Sequence, residues 1–239
     1  RNLRKSYGPF TAVDGISFQV PKGEIFGFIG PNGAGKTTTM RILSTLLEPT
    51  SGEAFVNGLD VVEFPERVRQ LIGYMPDYAG VYEGIDVHEY LDFFAAAYGV
   101  ERARRRAAIE GVMELTDLGG LRHKMAPSLS KGMRQRLILA KTLLHDHAVL
   151  ILDEPAAGLD PRARIELRAL LKELGSMGKT IVVSSHILTE LADMCTSVGI
   201  LEKGRIVAAG SIAEILGRLQ PGRTLALRTY EPDKAREIL

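Results

Sequence analysis

Short apolar runs alternate along this chain with longer stretches in which apolar residues recur every three or four positions. That alternation predicts an α/β fold. Ile25-Phe26-Gly27-Phe28-Ile29, Val149-Leu150-Ile151-Leu152 and Ile181-Val182-Val183 are continuous apolar runs. Each fits a strand covered on both faces, as in a parallel sheet. After the first of them, Met40, Leu43 and Leu47 fall on one face of a predicted helix. Gly15 to Val20 instead alternates apolar with polar, which predicts a half-exposed antiparallel strand turning at Pro21-Lys22-Gly23. Val198 to Leu201 and Arg205 to Ala208 predict two more strands across a Lys203-Gly204 turn.

The middle of the chain, roughly 78–145, reads as an inserted helical lobe. Asp86 followed by Glu89 has the spacing of a helix-start capping pair, and Leu91, Phe94, Ala95 and Tyr98 follow at helical spacing. Met133, Leu137, Ala140 and Leu144 line one face of a later helix that Ser130 can cap. Residues 222–239 predict one more strand and a helix, the start of a C-terminal appendix. The chain opens at Arg1 without an initiator methionine, so a piece of a longer protein is expected.

Composition changes this picture little. The 239 residues are 45% hydrophobic and 25% charged, ordinary for a folded domain, and the formal net charge of +1 gives no global argument for nucleic acid. No apolar run approaches the roughly 20 residues that span a bilayer. The single cysteine, Cys195, excludes an internal disulfide and fits a reducing cytoplasm. It is in phase with Leu188, Leu191 and Ala192, which predicts core packing on a helix. Arg102-Ala103-Arg104-Arg105-Arg106 predicts a solvated helix face, and His88, His123, His145 and His147 lack metal-ligand spacing and are expected at the surface or in caps.

The chemistry starts at Gly30-Pro31-Asn32-Gly33-Ala34-Gly35-Lys36-Thr37, which matches the P-loop pattern between a buried strand and an amphipathic helix. Its glycines let successive backbone N–H groups face phosphate oxygens, and the helix N-terminus adds partial positive charge. Lys36 is placed to reach the β- and γ-phosphates, Thr37 to ligate magnesium, and Thr38 to bond the α-phosphate. A hydrolytic site also needs carboxylates. Asp153 and Glu154 end the apolar strand Val149–Leu152, the first suited to holding Mg2+ and the second to polarising water as a general base.

Several further motifs now form a pattern. Leu129-Ser130-Lys131-Gly132-Met133 resembles the LSGGQ signature of ATP-binding-cassette (ABC) proteins. Ala157-Gly158-Leu159-Asp160 resembles their D-loop, Ser185-His186 their switch histidine, and Tyr7 the aromatic residue that stacks on adenine. Gly73-Tyr74-Met75-Pro76-Asp77 resembles the segment that ends in the Q-loop glutamine. The resemblance spans roughly 3–211. It implies a P-loop NTPase core with a mainly parallel sheet, an antiparallel β subdomain and an inserted helical subdomain, the ATPase domain occupying 1–221. It implies ATP and Mg2+ as cofactors, with Thr37, Asp153 and Asp77 at the metal and Lys36, Glu154 and His186 at the reaction. It also implies a second cassette, most simply a homodimer, closing head-to-tail through Ser130, Gly132 and Asp160.

Simpler readings remain for three of these residues: Ser130 as a helix cap only, His186 as a polar residue capping at a strand-to-helix turn, Tyr7 as a surface or core residue. Three departures from the family pattern stand out. Lys131 and Met133 replace glycine and glutamine of the signature, Asp77 stands where glutamine is expected, and Ala157 replaces the D-loop serine. The resemblance is to ATP-binding subunits of bacterial drug, lipid or polysaccharide exporters, peripheral on the inner face of the cell membrane and working with separate transmembrane permease subunits. The alternative is a soluble ABC ATPase acting on ribosomes or nucleic acid. The absence of paired cassettes, long coiled coils and strong positive charge counts against it, so no nucleic-acid partner is expected.

Overall fold

The computed structural model describes residues 1–78 and 80–219, so the strand and helix expected in 222–239 lie outside the described residues. The chain starts with a hairpin, β1 (Leu3–Tyr7) and β2 (Phe10–Ile16), followed by β3 (Ile25–Ile29) and α1 (Lys36–Leu43). A short hairpin, β4 (Phe55–Val56) and β5 (Leu59–Asp60), precedes α2 (Pro65–Leu71) and β6 (Ile72–Met75). The helical lobe holds α3 (Val87–Ala97), α4 (Arg102–Leu115) and α5 (Lys131–Leu143). The chain then returns through β7 (Val149–Leu152), α6 (Pro161–Ser176), β8 (Thr180–Ser185), α7 (Leu188–Ala192), β9 (Ser197–Glu202), β10 (Arg205–Ser211) and α8 (Ile212–Leu219).

The main sheet has the order β10-β9-β3-β8-β7-β6. It is parallel except for β10, which turns back on β9. The three continuous apolar runs are therefore its middle strands, and two hydrophobic clusters cover its faces. One holds Leu167, Leu171 and Leu174 of α6 against Ile181 and Val183; the other holds Met40 and Ile42 of α1 against Phe26 and Phe28. A third cluster fills the helical lobe, with Tyr90 and Leu91 of α3, Ile109 and Met113 of α4, and Leu137 and Ala140 of α5. The expected capping pair is present: Glu89 N–H donates to Asp86 Oδ1 at 2.8 Å, and Asp86 N–H to Glu89 Oε2 at 2.9 Å.

Four expectations need correction. The strand expected over 15–20 ends at Ile16 and starts earlier, at Phe10. Its alternation reflects real burial, because Phe18 packs on Phe26 and Phe28, yet the segment after Ile16 is outside the β1–β2 ladder. Leu47 lies past α1, which ends at Leu43 ahead of Thr45 at φ +60°, although it still packs on the same core. Cys195 also lies just past its helix, its N–H bonded to the Leu191 carbonyl, and burial pushes its thiol up to about 12. His147 is buried, not at the surface, and stacks on His145; desolvation pulls its imidazole down to about 4. The arginines of α4 are largely exposed as expected, with Arg105 half-buried beside Asp92.

Candidate functional site

β3, β7 and β8 are adjacent and parallel, so the segments leaving their C-terminal ends meet at one edge of the sheet. From β3 comes the loop Gly30–Thr37. Gly30 packs where an added Cβ would sit 2.3 Å from the Leu201 carbonyl oxygen. Gly33 and Gly35 take φ values of +79° and +106°, which β-carbon-bearing residues rarely adopt. Gly35 caps α1 without any side-chain bond, leaving the first N–H groups of the helix available to an anion. Pro31, Asn32 and Gly33 are exposed, Ala34 is buried, and Thr37 and Thr38 are half-buried.

Lys36, only 5% exposed, donates through Nζ to the carbonyls of Gly30 at 2.6 Å and Pro31 at 3.2 Å. From β7 come the two acids. Asp153 is fully buried, and its Oδ1 accepts from Ser184 Oγ at 2.7 Å. Burial raises the Asp153 carboxyl above the usual range; the Ser184 hydrogen bond and the nearby Thr37 hydroxyl oppose that rise, and the charges of Asp77 and Glu154 add to it. Its Oδ2 is buried with no hydrogen-bond partner. An orphaned carboxylate oxygen beside the Thr37 hydroxyl is a hard-oxygen pair suited to Mg2+, which takes few protein ligands and completes its shell with water and phosphate. Asp77 is exposed just past β6.

Glu154 sits at φ +49°, an uncommon conformation for a residue with a side chain. Its backbone is held on both sides: its N–H donates to Ser184 Oγ at 2.8 Å, and its carbonyl accepts from Gln135 Nε2 at 3.3 Å. The carboxylate is thereby set between two basic groups. Oε2 is 3.0 Å from His186 Nδ1, and Oε1 is 3.2 Å from Lys36 Nζ, an ion-pair distance without hydrogen-bond alignment. His186 leaves β8 and is half-exposed. It does not cap the following helix: the Ile187 N–H is taken by Ser185 Oγ.

The remaining candidates stand elsewhere. Ser130 caps α5, its Oγ accepting from the Met133 N–H at 3.3 Å, and Asp160 caps α6, accepting from the Ala163 N–H at 2.9 Å. Gly132 faces Leu159 and Gly158, and the Lys131 stem lies across Gly158, so signature and D-loop form one surface. Tyr7 is 47% exposed at the end of β1, with Lys5 Nζ over its ring at 5.4 Å. Sequence reasoning missed Ser184 and Gln135. Their signal was present but weak: a serine pair ending an apolar strand, and a glutamine on the buried side of an amphipathic helix.

The family model described as ABC transporter matches residues 13–157. This chain belongs to the ABC transporter family. It is 37% identical over 211 residues to the "Probable multidrug ABC transporter ATP-binding protein YbhF" of Escherichia coli, covering 88% of this chain and 36% of that protein. It is 34% identical to the "Linearmycin resistance ATP-binding protein LnrL" of Bacillus subtilis over 91% of this chain and 70% of that one. The "Daunorubicin/doxorubicin resistance ATP-binding protein DrrA" of Streptomyces peucetius is 35% identical over 98% of this chain and 71% of its own. The chain thus spans about a third of YbhF. Among solved structures, an ATP-binding subunit of an ABC transporter superposes with a TM-score of 0.83 at 30% identity, covering 94% of this chain and 93% of that one. A dimeric ATP-binding cassette bound to ADP and Pi shares the fold, with a TM-score of 0.82 at 22% identity over 89% of this chain and 97% of its own.

Proposed function

We propose that this ABC protein binds and hydrolyses ATP and uses the cycle to drive export through separate membrane-spanning subunits. One observation carries the reading: Lys36, Asp153, Glu154 and His186 leave three neighbouring strands and converge beside a phosphate loop. The Gly30–Thr37 loop and Lys36 bind the phosphates, and Thr37 and Asp153 would hold Mg2+, together with Asp77, whose charge acts on Asp153. The metal supplies charge neutralisation for the phosphates when bound. Glu154 takes a proton from the attacking water, and His186 and Lys36 stabilise the negative charge that spreads over the transferred phosphoryl group.

Ser130 and Gly132, on the helix N-terminus of α5, serve the nucleotide held by a second cassette, with Asp160 at the same interface. The names of YbhF, LnrL and DrrA support the transport and drug-export reading. The ADP-bound cassette of the same fold is a dimer, which supports pairing of this one. No described helix is long and apolar enough to cross a membrane, which fits a division of labour with other chains at the inner face of the membrane. Tyr7 stacks on the adenine, and the cassette runs over 1–221.

Steady-state phosphate release from wild type and Glu154→Gln tests hydrolysis. The expected result is Mg2+-dependent turnover in the wild type and almost none in the variant. Equal, near-zero rates in both would overturn it. Affinity capture from membrane extract tests the partner: a polytopic membrane protein is expected, and ribosomes or nucleic acid in its place would overturn transport.

A further inference from the structure

The turn carrying His186 is held by a chain of polar contacts that the reaction itself does not use. Ser185, 2% exposed, is its hub. The Ser185 carbonyl accepts from the Gly30 N–H at 3.3 Å, at the start of the phosphate loop. Its Oγ accepts from the Ile187 N–H at 3.0 Å and donates to Glu190 Oε2 at 2.6 Å. Glu190 Oε1 is 2.8 Å from Arg164 Nη1. Arg164 Nε in turn donates to the Leu159 carbonyl at 3.1 Å, the residue before Asp160. A continuous path therefore runs from the end of the D-loop segment, through α6 and α7, to both sides of His186.

We propose that Arg164 and Glu190 are positioning residues for His186, fixing its imidazole against Glu154 and making that fit depend on where the D-loop backbone sits. This rests on the hydrolysis reading for its catalytic consequence, though not for its geometry. The Glu190 carboxylate is mostly buried, at 15% exposure, so its ion pair with Arg164 and its charged hydrogen bond from Ser185 are poorly replaced by water. Arg164 holds one oxygen of the carboxylate whose other oxygen accepts from Ser185, and Arg164 is itself forked between Glu190 and Leu159. A shift of Leu159 therefore pulls on the same guanidinium that orients Glu190. Arg164 and Glu190 border a cavity of about 450 Å³ that Leu167, Leu191 and Met194 also line. Arg168, paired with Asp193 at 3.0 Å, lines the same cavity but lies off the path and provides an internal control.

The test compares Glu190→Ala, Glu190→Gln, Arg164→Met and Arg168→Met, each alone and with His186→Ala. Glu190→Ala and Arg164→Met are expected to lower kcat on the order of tenfold with KM within about twofold, as a misplaced catalytic group does. Glu190→Gln, which can still accept from Ser185, is expected to fall between them and wild type and serves if Glu190→Ala does not fold. Arg168→Met is expected to match wild type. With His186→Ala already present, Glu190→Ala is expected to cause no further loss. In nucleotide-free protein, the His186 imidazole ¹⁵N resonance, assigned by its loss in His186→Ala, is expected to move in Glu190→Ala and Arg164→Met and to stay in Arg168→Met. An unmoved resonance, additive losses, or equal effects from Arg168→Met would overturn the proposal. Absence of turnover in the wild type would overturn hydrolysis alone, and the resonance would still decide the positioning role.

Discussion

Lys36 and Glu154, 118 positions apart in sequence, form an ion pair at 3.2 Å with side chains only 5% and 12% exposed. Lys36 does not depend on that pair alone, because the carbonyls of Gly30 and Pro31 also accept from it. The two residues are therefore separable by mutation. Glu154→Gln is expected to keep nucleotide affinity within a few-fold and to lower kcat by about 100-fold or more, as loss of a general base does. Lys36→Ala is expected to weaken binding itself. Fluorescent-nucleotide titration beside phosphate-release kinetics separates the two outcomes, and a Glu154→Gln protein that no longer binds nucleotide would contradict the assignment.

Ser184 supports both acids with one hydroxyl, donating to Asp153 and accepting from the Glu154 N–H. Ser184→Ala leaves a buried carboxylate oxygen and a buried N–H without partners. The expected cost is about 1–3 kcal/mol of stability, the range for orphaned buried groups. Turnover should fall as well, because Glu154 then loses one of the restraints on its uncommon φ of +49°. Urea unfolding and ATPase assays on the same preparation check this; Ser184→Ala equal to wild type in both would show the hydroxyl to be dispensable.

His147 gives the chain a pH dependence with a definite sign. Burial chiefly, with the His145 charge, depresses its imidazole to about 4 from an ordinary 6.5. Between those values the unfolded chain binds the proton and the folded one resists it, so folding is favoured above pH 6.5 and that contribution is lost as pH falls toward 4. The shift corresponds to about 3 kcal/mol across the window. Unfolding free energies at pH 7.5, 6 and 5 for wild type and His147→Leu are expected to differ progressively, with the steeper acid loss in wild type. Parallel curves would rule out this residue as the source.

Much of the fold could be read because the decisive side chains repeat a pattern. Continuous apolar runs marked β3, β7 and β8, and helical spacing marked α3 and α5. Strands too short or too polar to show a period were not readable: β1, and β6, whose Gly73 and Tyr74 mask its buried Ile72 and Met75. In the site, the residues with distinctive chemistry were legible, namely Lys36, Asp153, Glu154 and His186. Those that hold them in place were not. Ser184, Gln135, Arg164 and Glu190 act through neighbours brought together by strand order, and local sequence does not carry that order. His147 misled for a similar reason, since its burial comes from packing against residues distant in sequence, Gln70 among them.

The glycines of the phosphate loop offer the sharpest separation between ligand chemistry and packing. Motif reasoning assigns all three to phosphate approach. The geometry divides them: a Cβ at Gly30 would meet the Leu201 carbonyl at 2.3 Å, and one at Gly35 the Ala12 carbonyl at 2.6 Å, whereas Gly33 has open space around it. Gly33→Ala therefore faces only the left-handed backbone penalty, about 1–2 kcal/mol. Gly30→Ala, outside the left-handed region, must displace backbone of β9, and Gly35→Ala, at φ +106°, must displace backbone of β2 as well; backbone cannot swing aside as a side chain can. Thermal unfolding without nucleotide is expected to rank Gly33→Ala as the mildest of the three, with Gly30→Ala and Gly35→Ala several degrees lower still. Equal midpoints for all three would mean that the loop's glycines answer to phosphate alone. The expected ranking would instead show that Gly30 and Gly35 first serve the seating of the loop against the sheet and hairpin, and that the anion site depends on that seating.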